Sequence, residues 1–371
     1  MRVLIAPDKF RGSLTSRKAA EAIARGVLAA DASANVDLCP MSDGGEGFVD
    51  VMLGALGGRV VVCWVTGPLP EMKVHARFGI LPDERTAVIE MAAASGLSLL
   101  RPDQYDPLAT TTFGTGELIC QAAKMGVERI ILGIGGSATI DGGIGCAQAC
   151  DLPVILEDRE VIWLSEPLCG RDVERVVLVK RGRGSKVDGM KFDVGCDADI
   201  VLSGETGAAR TFGAQKGADA EATSRLDAAL TQLATRCGKL DEAKLPGAGA
   251  AGGLGFGMAA FFGATLRPGF EVVAEAVGLP DRIARCDLCI TGEGRFDAGS
   301  AKGKLVGRLA RCCAEAAKPC IALCGAVADD AAGIEGLTRT IAIGIGAESP
   351  EWFARTAEDL QAAARHVVLE L

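Results

Sequence analysis

At 371 residues the chain is long enough for two domains, and with 49% apolar residues it can bury a large core. Its formal charge of −9 argues against a protein held to nucleic acid by non-specific charge, although a local basic pocket for a small anion stays open. No apolar run reaches the length of a membrane span, and the start, Met1 to Pro7, turns polar too soon for a signal peptide.

Val3-Leu4-Ile5-Ala6 reads as a buried strand, followed by a loop at 7–12 and a helix over 17–30, capped by Ser13, Thr15 or Ser16. A second strand at 36–40 leads through Ser42-Asp43-Gly44-Gly45-Glu46-Gly47 into a helix ending near Leu56. This strand–loop–helix rhythm predicts a parallel sheet. Strands are expected at 60–65 and 86–91, with a turn-rich stretch between them, then a helix at 115–125 and a strand at 129–132. Residues 151–192 mix apolar runs with a basic glycine loop and give no clear pattern. Residues 218–237 are helical by period, 245–257 form a glycine-rich loop, and 258–262 continue it as a helix. Strands at 288–291, 320–323 and 340–343 and a helix at 351–369 close the chain. The regular ends and irregular middle predict an α/β fold in which a Rossmann-like parallel-sheet domain (1–70 and 285–371) is interrupted by an inserted α/β domain (71–284). Ligands are expected in the cleft between them.

The fourteen cysteines, in a chain read as cytoplasmic, are expected to be reduced core thiols. Cys286-x-x-Cys289 lacks the second ligand pair of a zinc site, so metal is not expected there.

Three glycine-rich loops stand before helices: Gly133-Ile134-Gly135-Gly136-Ser137-Ala138-Thr139, Phe113-Gly114-Thr115-Gly116-Glu117 and Gly247 to Gly253. Glycine lets backbone N–H groups approach an anion, and a helix start adds partial positive charge. The same glycines could simply make turns or close packing. The run Gly299-Ser300-Ala301-Lys302-Gly303-Lys304-Leu305 is one residue short of a Walker loop and has Leu where its hydroxyl belongs, although Lys302 and Lys304 could still face phosphate. Asp8, Asp43, Glu46, Asp141, Asp197, Glu293 and Asp297 sit in the loops, with Lys9, Arg11, Lys216 and Arg295 as candidate cations. Carboxylates that hold Mg²⁺ or orient a hydroxyl, together with cations that meet phosphate charge, are the needs of phosphoryl transfer. Each carboxylate could equally cap a helix or a turn. Two histidines, neither beside a glycine loop, leave little room for histidine acid–base chemistry.

The order of motifs resembles the bacterial glycerate kinases of the two-domain α/β type. The resemblance rests on Ala6-Pro7-Asp8-Lys9-Phe10-Arg11-Gly12-Ser13-Leu14, Ser42 to Gly47, Thr66-Gly67-Pro68-Leu69, Glu90 to Leu97, Thr111 to Ile119, Gly133 to Thr139, Asp141-Gly142-Gly143, Gln215-Lys216-Gly217-Ala218, Pro246 to Gly255 and Thr291-Gly292-Glu293-Gly294-Arg295. It implies transfer of phosphate from ATP, with Mg²⁺, to D-glycerate, the 2-phosphate being favoured. A kinase for another small hydroxy acid and a non-catalytic binding relative are the alternatives. The chain departs from the family pattern at Arg11, Ile140, Ala198, Ile200, Ala214 and Gly299, and matches it poorly over 151–195. On this resemblance Asp297, Lys9, Arg11 and Asp197 are expected to be catalytic. Gly133, Gly135, Gly136, Ser137, Gly252, Gly253 and Lys216 are expected at the ATP phosphates. Asp8, Ser13, Thr115, Glu293 and Arg295 are expected at the acid substrate, and Asp43 and Glu46 at the metal. No nucleic-acid or membrane partner is expected, and a homo-oligomer is left open.

Overall fold

A computed structural model describes residues 1–157, 161–162, 166–180, 185–297, 300, 305–328, 335–344 and 350–370. The chain divides into two compact units, one of residues 1–43, 50–55 and 270–371, the other of residues 44–49 and 56–269. Among the described residues no helix is long and apolar enough to cross a membrane.

The first unit is built on a five-stranded parallel sheet in the order Arg339–Ala342, Cys320–Cys324, Leu288–Thr291, Arg2–Ile5, Asn35–Leu38. Its central strands are short unbroken apolar runs because both faces are covered, as parallel sheets require. One face presents Val3, Ile5, Ile290, Ile321 and Leu323 to Ala19, Ile23 and Val27 of the helix Ser16–Ala30 and to Leu360, Ala364 and Val367 of the helix Pro350–Leu369. Alternate residues point the other way, and Ala322 and Cys324 meet Phe296 and Val306. Of the three candidate caps for the first helix, Thr15 serves: its hydroxyl oxygen accepts from the Lys18 N–H at 3.3 Å.

The second unit holds a six-stranded sheet in the order Thr265–Pro268, Lys191–Cys196, Arg129–Gly133, Thr86–Glu90, Lys73–Ile80, Arg59–Thr66. The first four strands run parallel and the last two are antiparallel additions. The stretch expected to be rich in turns is therefore an eight-residue strand, Lys73–Ile80. Pro68, Pro70 and Pro82 stand near its ends, while Val74, Ala76, Phe78 and Ile80 alternate and are all buried. Its pairing with Arg59–Thr66 carries residues 59–66 into the second unit. The patternless middle contains a small antiparallel sheet of Val154–Leu156, Val161–Ile162 and Val176–Val179 as well as the strand Lys191–Cys196. The segment Ala250–Gly257 is helical but broken where Ala251, Gly252 and Gly253 take positive φ, and it runs on into a π-helical turn, Met258–Phe262.

Candidate active site

In the first unit, three neighbouring parallel strands end together, with Ile5 opposite Ile290 on one side and Leu38 on the other. Their following loops emerge at the carboxyl end of the sheet, where open α/β folds place their ligands. Asp8 donates its N–H to the Gly292 carbonyl at 2.9 Å, and the Thr291 hydroxyl donates to the Ala6 carbonyl at 2.8 Å. Met41 donates its N–H to the Pro7 carbonyl at 3.0 Å, which draws in the third loop. The Lys9 ammonium lies 3.3 Å from an Asp43 oxygen and is largely shielded from solvent. Burial works against the Lys9 charge, but the nearby carboxylates of Asp8 and Asp43 outweigh it and hold its pKa above the usual lysine range. Asp8 is itself buried, and burial pushes its carboxyl up to about 6, with Lys9 pulling it down and Asp43 pushing further up.

Arg11 and Arg295 are exposed at this end, and Glu293 is half-buried. Asp297 follows the short strand Arg295–Phe296, and its Oδ1 accepts from the Ser300 N–H at 3.1 Å. One of its oxygens is thus held by the backbone of Ser300. Ser13 is tied elsewhere, its hydroxyl donating to the Phe353 carbonyl at 3.0 Å. Gly299, Lys302 and Lys304, and the basic residues Arg181 and Arg183, lie outside the described residues.

In the second unit the carboxyl ends of Thr86–Glu90, Arg129–Gly133 and Lys191–Cys196 are again side by side. The segment 44–49 lies across them: Gly135 donates its N–H to the Gly44 carbonyl at 3.1 Å. A Cβ at Gly133 would overlap the Gly44 carbonyl oxygen, and one at Gly135 would come within 2.7 Å of the Gly45 Cα. Both glycines are thus demanded by backbone packing; Gly136, at φ +77°, is the exposed member of the run. Glu90, buried at the end of its strand, accepts from the Gly47 N–H at 3.1 Å and the Val49 N–H at 3.2 Å. It therefore fixes the loop that carries Glu46 and caps the helix Phe48–Leu56.

Lys216 is fully enclosed, donating to the Ser137 hydroxyl at 2.7 Å and to the Thr139 carbonyl at 2.8 Å. Burial pulls its pKa down to about 7, an effect that Asp141 partly offsets. Asp141 is buried too: its Oδ2 accepts from the Thr112 N–H and hydroxyl, both at 2.8 Å, and its Oδ1 from the Gly143 N–H at 3.0 Å. Burial raises its pKa, and these hydrogen bonds oppose the rise. Gly252 and Gly253 pack on the same loop; at Gly252 a Cβ would overlap the Thr139 carbonyl oxygen. Thr115 is buried below, its hydroxyl 2.9 Å from that of Ser95. Asp197 follows the strand Lys191–Cys196 and is half-buried.

The expected residues thus form two constellations, one per unit. Asp8, Lys9, Arg11, Asp43, Glu293 and Arg295 gather in the first, while Gly135, Gly136, Ser137, Lys216, Gly252 and Gly253 gather in the second. The expected metal pair is split in chain position, with Asp43 in the first unit and Glu46 in the second. Ser13 and Thr115 are occupied by internal hydrogen bonds. Asp141 was named among the candidate carboxylates but given no role, and Glu90 and Thr112 were not singled out as site residues; the signal for Glu90 was a lone charge closing an apolar strand just before a run of small residues.

The Glycerate kinase family model matches residues 3–371, beyond the last motif at which the resemblance could be read. The chain is 39% identical over 376 residues to a glycerate kinase of Bacillus subtilis (strain 168), covering 98% of this chain and 97% of the relative. It is 41% identical over 337 residues to the glycerate 2-kinase of Escherichia coli (strain K12), covering 89% of this chain and 86% of that one. A crystal structure from Salmonella typhimurium LT2, carried under the name glycerate kinase 2, superposes with a TM-score of 0.83 at 38% identity over 100% of this chain and 98% of that chain. The chain belongs to the glycerate kinase family.

Proposed function

We propose that the protein transfers the γ-phosphoryl group of ATP to D-glycerate, giving 2-phosphoglycerate in preference to the 3-phosphate. The observation that carries this reading is the Asp8–Lys9–Asp43 group at the carboxyl ends of three parallel strands, in a chain whose relative from Escherichia coli bears the name glycerate 2-kinase. Two carboxylates gathered about a lysine, with Asp43 raising the proton affinity of Asp8, form a hard, oxygen-donor environment, which fits Mg²⁺. Asp43 would hold the ion with Asp8 beside it, and Glu46 is the further carboxylate of the same loop. Bound there, Mg²⁺ supplies positive charge that neutralises phosphate oxygens.

Lys9 keeps its proton at any physiological pH and so meets the transferred phosphoryl group, or the substrate carboxylate, as a fixed cation. Arg11 and Arg295 offer planar donors to the same anionic groups. Asp297 orients the glycerate hydroxyl and accepts its proton. In the second unit, the exposed backbone at Gly136 provides donors for nucleotide phosphate, with Ser137 held beside it by the buried Lys216. Asp197 is assigned to the reacting end of the substrate. Ile140 is fully buried, so this departure from the family pattern changes the core rather than a surface that a ligand meets.

The test is turnover by the purified chain with ATP, Mg²⁺ and D-glycerate, read by ³¹P NMR of the product. A 2-phosphoglycerate signal is expected. Folded protein that binds ATP but phosphorylates no hydroxy acid would refute the reading. Asp297→Asn preserves the Oδ1 acceptor for Ser300 and should leave the fold intact while kcat falls about 10²–10⁴-fold. Near-normal kcat would remove Asp297 from its role.

A further inference from the structure

Six of the fourteen cysteines fall between residues 286 and 324. The Cys286-x-x-Cys289 pair seemed to lack partners, but the fold supplies them from other elements. Cys289 on the strand Leu288–Thr291 and Cys320 on the strand Cys320–Cys324 are register partners. Cys313 reaches them from the helix Leu305–Glu315. The three Sγ atoms lie within 4.8 Å of one another, and all three side chains are buried. Among the described residues this is the one place where three metal-ligating side chains converge so closely.

We propose that Cys289, Cys313 and Cys320 form a three-thiolate binding site for a soft divalent d¹⁰ metal ion, of which Zn²⁺ and its heavier congener Cd²⁺ are the type. With metal–sulfur bonds of about 2.3 Å, three sulfurs in a plane around an ion stand about 4 Å apart. The cluster therefore needs to contract by less than about 1 Å. Thiolate donors select soft ions over Mg²⁺, which separates this site from the acidic loops. A divalent ion leaves three thiolates with one net negative charge, whereas a monovalent ion would leave two in a buried place. Each thiol that ligates exchanges its S–H bond for a metal–sulfur bond and releases its proton to solvent.

The backbone around the sulfurs is fixed. Cys289 donates its N–H to the Pro319 carbonyl at 2.9 Å, the Cys320 N–H donates to the Thr338 hydroxyl at 3.2 Å, and the Lys318 N–H donates to the Cys313 carbonyl at 2.8 Å. Access is short despite the burial. Cys313 and Cys320 bracket a largely exposed turn at 314–319, in which Ala317 takes a φ of +53°. That conformation disfavours a residue with a Cβ, so the segment between the two cysteines carries local backbone strain.

The experiment titrates the reduced full chain with Cd²⁺ alone, under anaerobic conditions. Native mass spectrometry counts bound ions and displaced protons, the ultraviolet thiolate-to-cadmium band follows occupancy, and ¹¹³Cd NMR reports the donors. One ion per chain is expected, with a resonance in the range of sulfur-dominated coordination and a higher Tm than the metal-free protein. Cys313→Ser and Cys320→Ser should each weaken Cd²⁺ binding by more than about 100-fold, beyond the loss typical of an outer-sphere change. Cys63→Ser, a half-buried thiol of the other unit, should bind as the unaltered chain does. Folded wild-type protein that shows no thiolate band or bound ion would overturn the proposal, whatever the variants do. So would Cd²⁺ uptake that survives unchanged in folded Cys313→Ser.

Discussion

Asp8 and Lys216 are both buried ionisable groups, and burial moves them in opposite directions. Asp8 titrates near 6 in the folded chain, above the ordinary aspartate value. Between about pH 4 and pH 6 the folded state therefore binds more protons than the unfolded one, and stability falls as pH rises through that window. Asp8→Asn fixes the uncharged form and retains an acceptor for the Lys9 N–H, which now donates to Oδ1 at 2.7 Å. In calorimetry without Mg²⁺, its Tm should gain on the wild type as pH rises from 5 to 7, while phosphoryl transfer falls by orders of magnitude. A variant that loses both would mean that Asp8 serves the fold. Lys216 titrates near 7, well below the usual lysine value. The unfolded chain then binds the extra proton between about pH 7 and pH 10.5, so stability rises with pH there, by up to about 1.4 kcal/mol per unit. Lys216→Met should flatten that slope in urea titrations, and an unchanged slope would show that Lys216 keeps its charge when buried. Such residues were legible as charged positions in glycine-rich loops. Their protonation was not, because it depends on which strands enclose them.

Loops at the ends of parallel strands are where sequence and structure agree most closely. In the first unit, Leu288–Thr291 and Cys320–Cys324 were readable because short, largely apolar runs that end at a glycine have few other uses. The strand Lys73–Ile80 was not, since its alternation lies between proline-rich ends, and Thr265–Pro268 is a short, half-exposed edge strand that ends in proline. The glycines were legible as special positions, but their reasons differ. Gly47 has φ +90° with open space beyond its missing Cβ, whereas Gly252 has φ +66° with the Thr139 carbonyl oxygen in the way. Gly47→Ala should therefore lose roughly the 1–2 kcal/mol of a left-handed residue, and Gly252→Ala clearly more, as read by denaturant unfolding. Equal losses would mean that the loop at 139–142 yields without strain. Glu90→Ala leaves the N–H groups of Gly47 and Val49 without their acceptor. About 1–3 kcal/mol should be lost in denaturant unfolding, with weaker turnover because the loop at 44–49 loosens.

At the scale of the whole chain, the α/β class and an interrupted first unit could be read from the sequence, because the regular rhythm stops and then resumes. The exact grouping could not, since only pairing decides that residues 59–66 join the second sheet. Residues 151–192 stayed opaque because a small antiparallel sheet of three short strands gives too few alternations to stand out. The helix Pro350–Leu369 covers one face of the first sheet through Leu360, Ala364 and Val367. Deleting residues 350–371 should expose that face, at about 1.5–3 kcal/mol for each large apolar side chain uncovered. The first unit should then become protease-sensitive, while the second, with its own core, resists. Simultaneous digestion of both units would show that neither keeps its structure alone.

The place of Arg2–Ile5 inside its sheet also bears on how the protein is made. Of its two neighbours, Asn35–Leu38 follows closely along the chain, whereas Leu288–Thr291 is encoded nearly three hundred codons later. At about 5–20 residues per second, the edge of the strand that Leu288–Thr291 covers stays unpaired for many seconds. Residues 56–269 can meanwhile complete their own sheet. The strand Arg2–Ile5 thus belongs to the unit that closes later, and chaperone demand in the cell should be concentrated on that waiting strand and its helix.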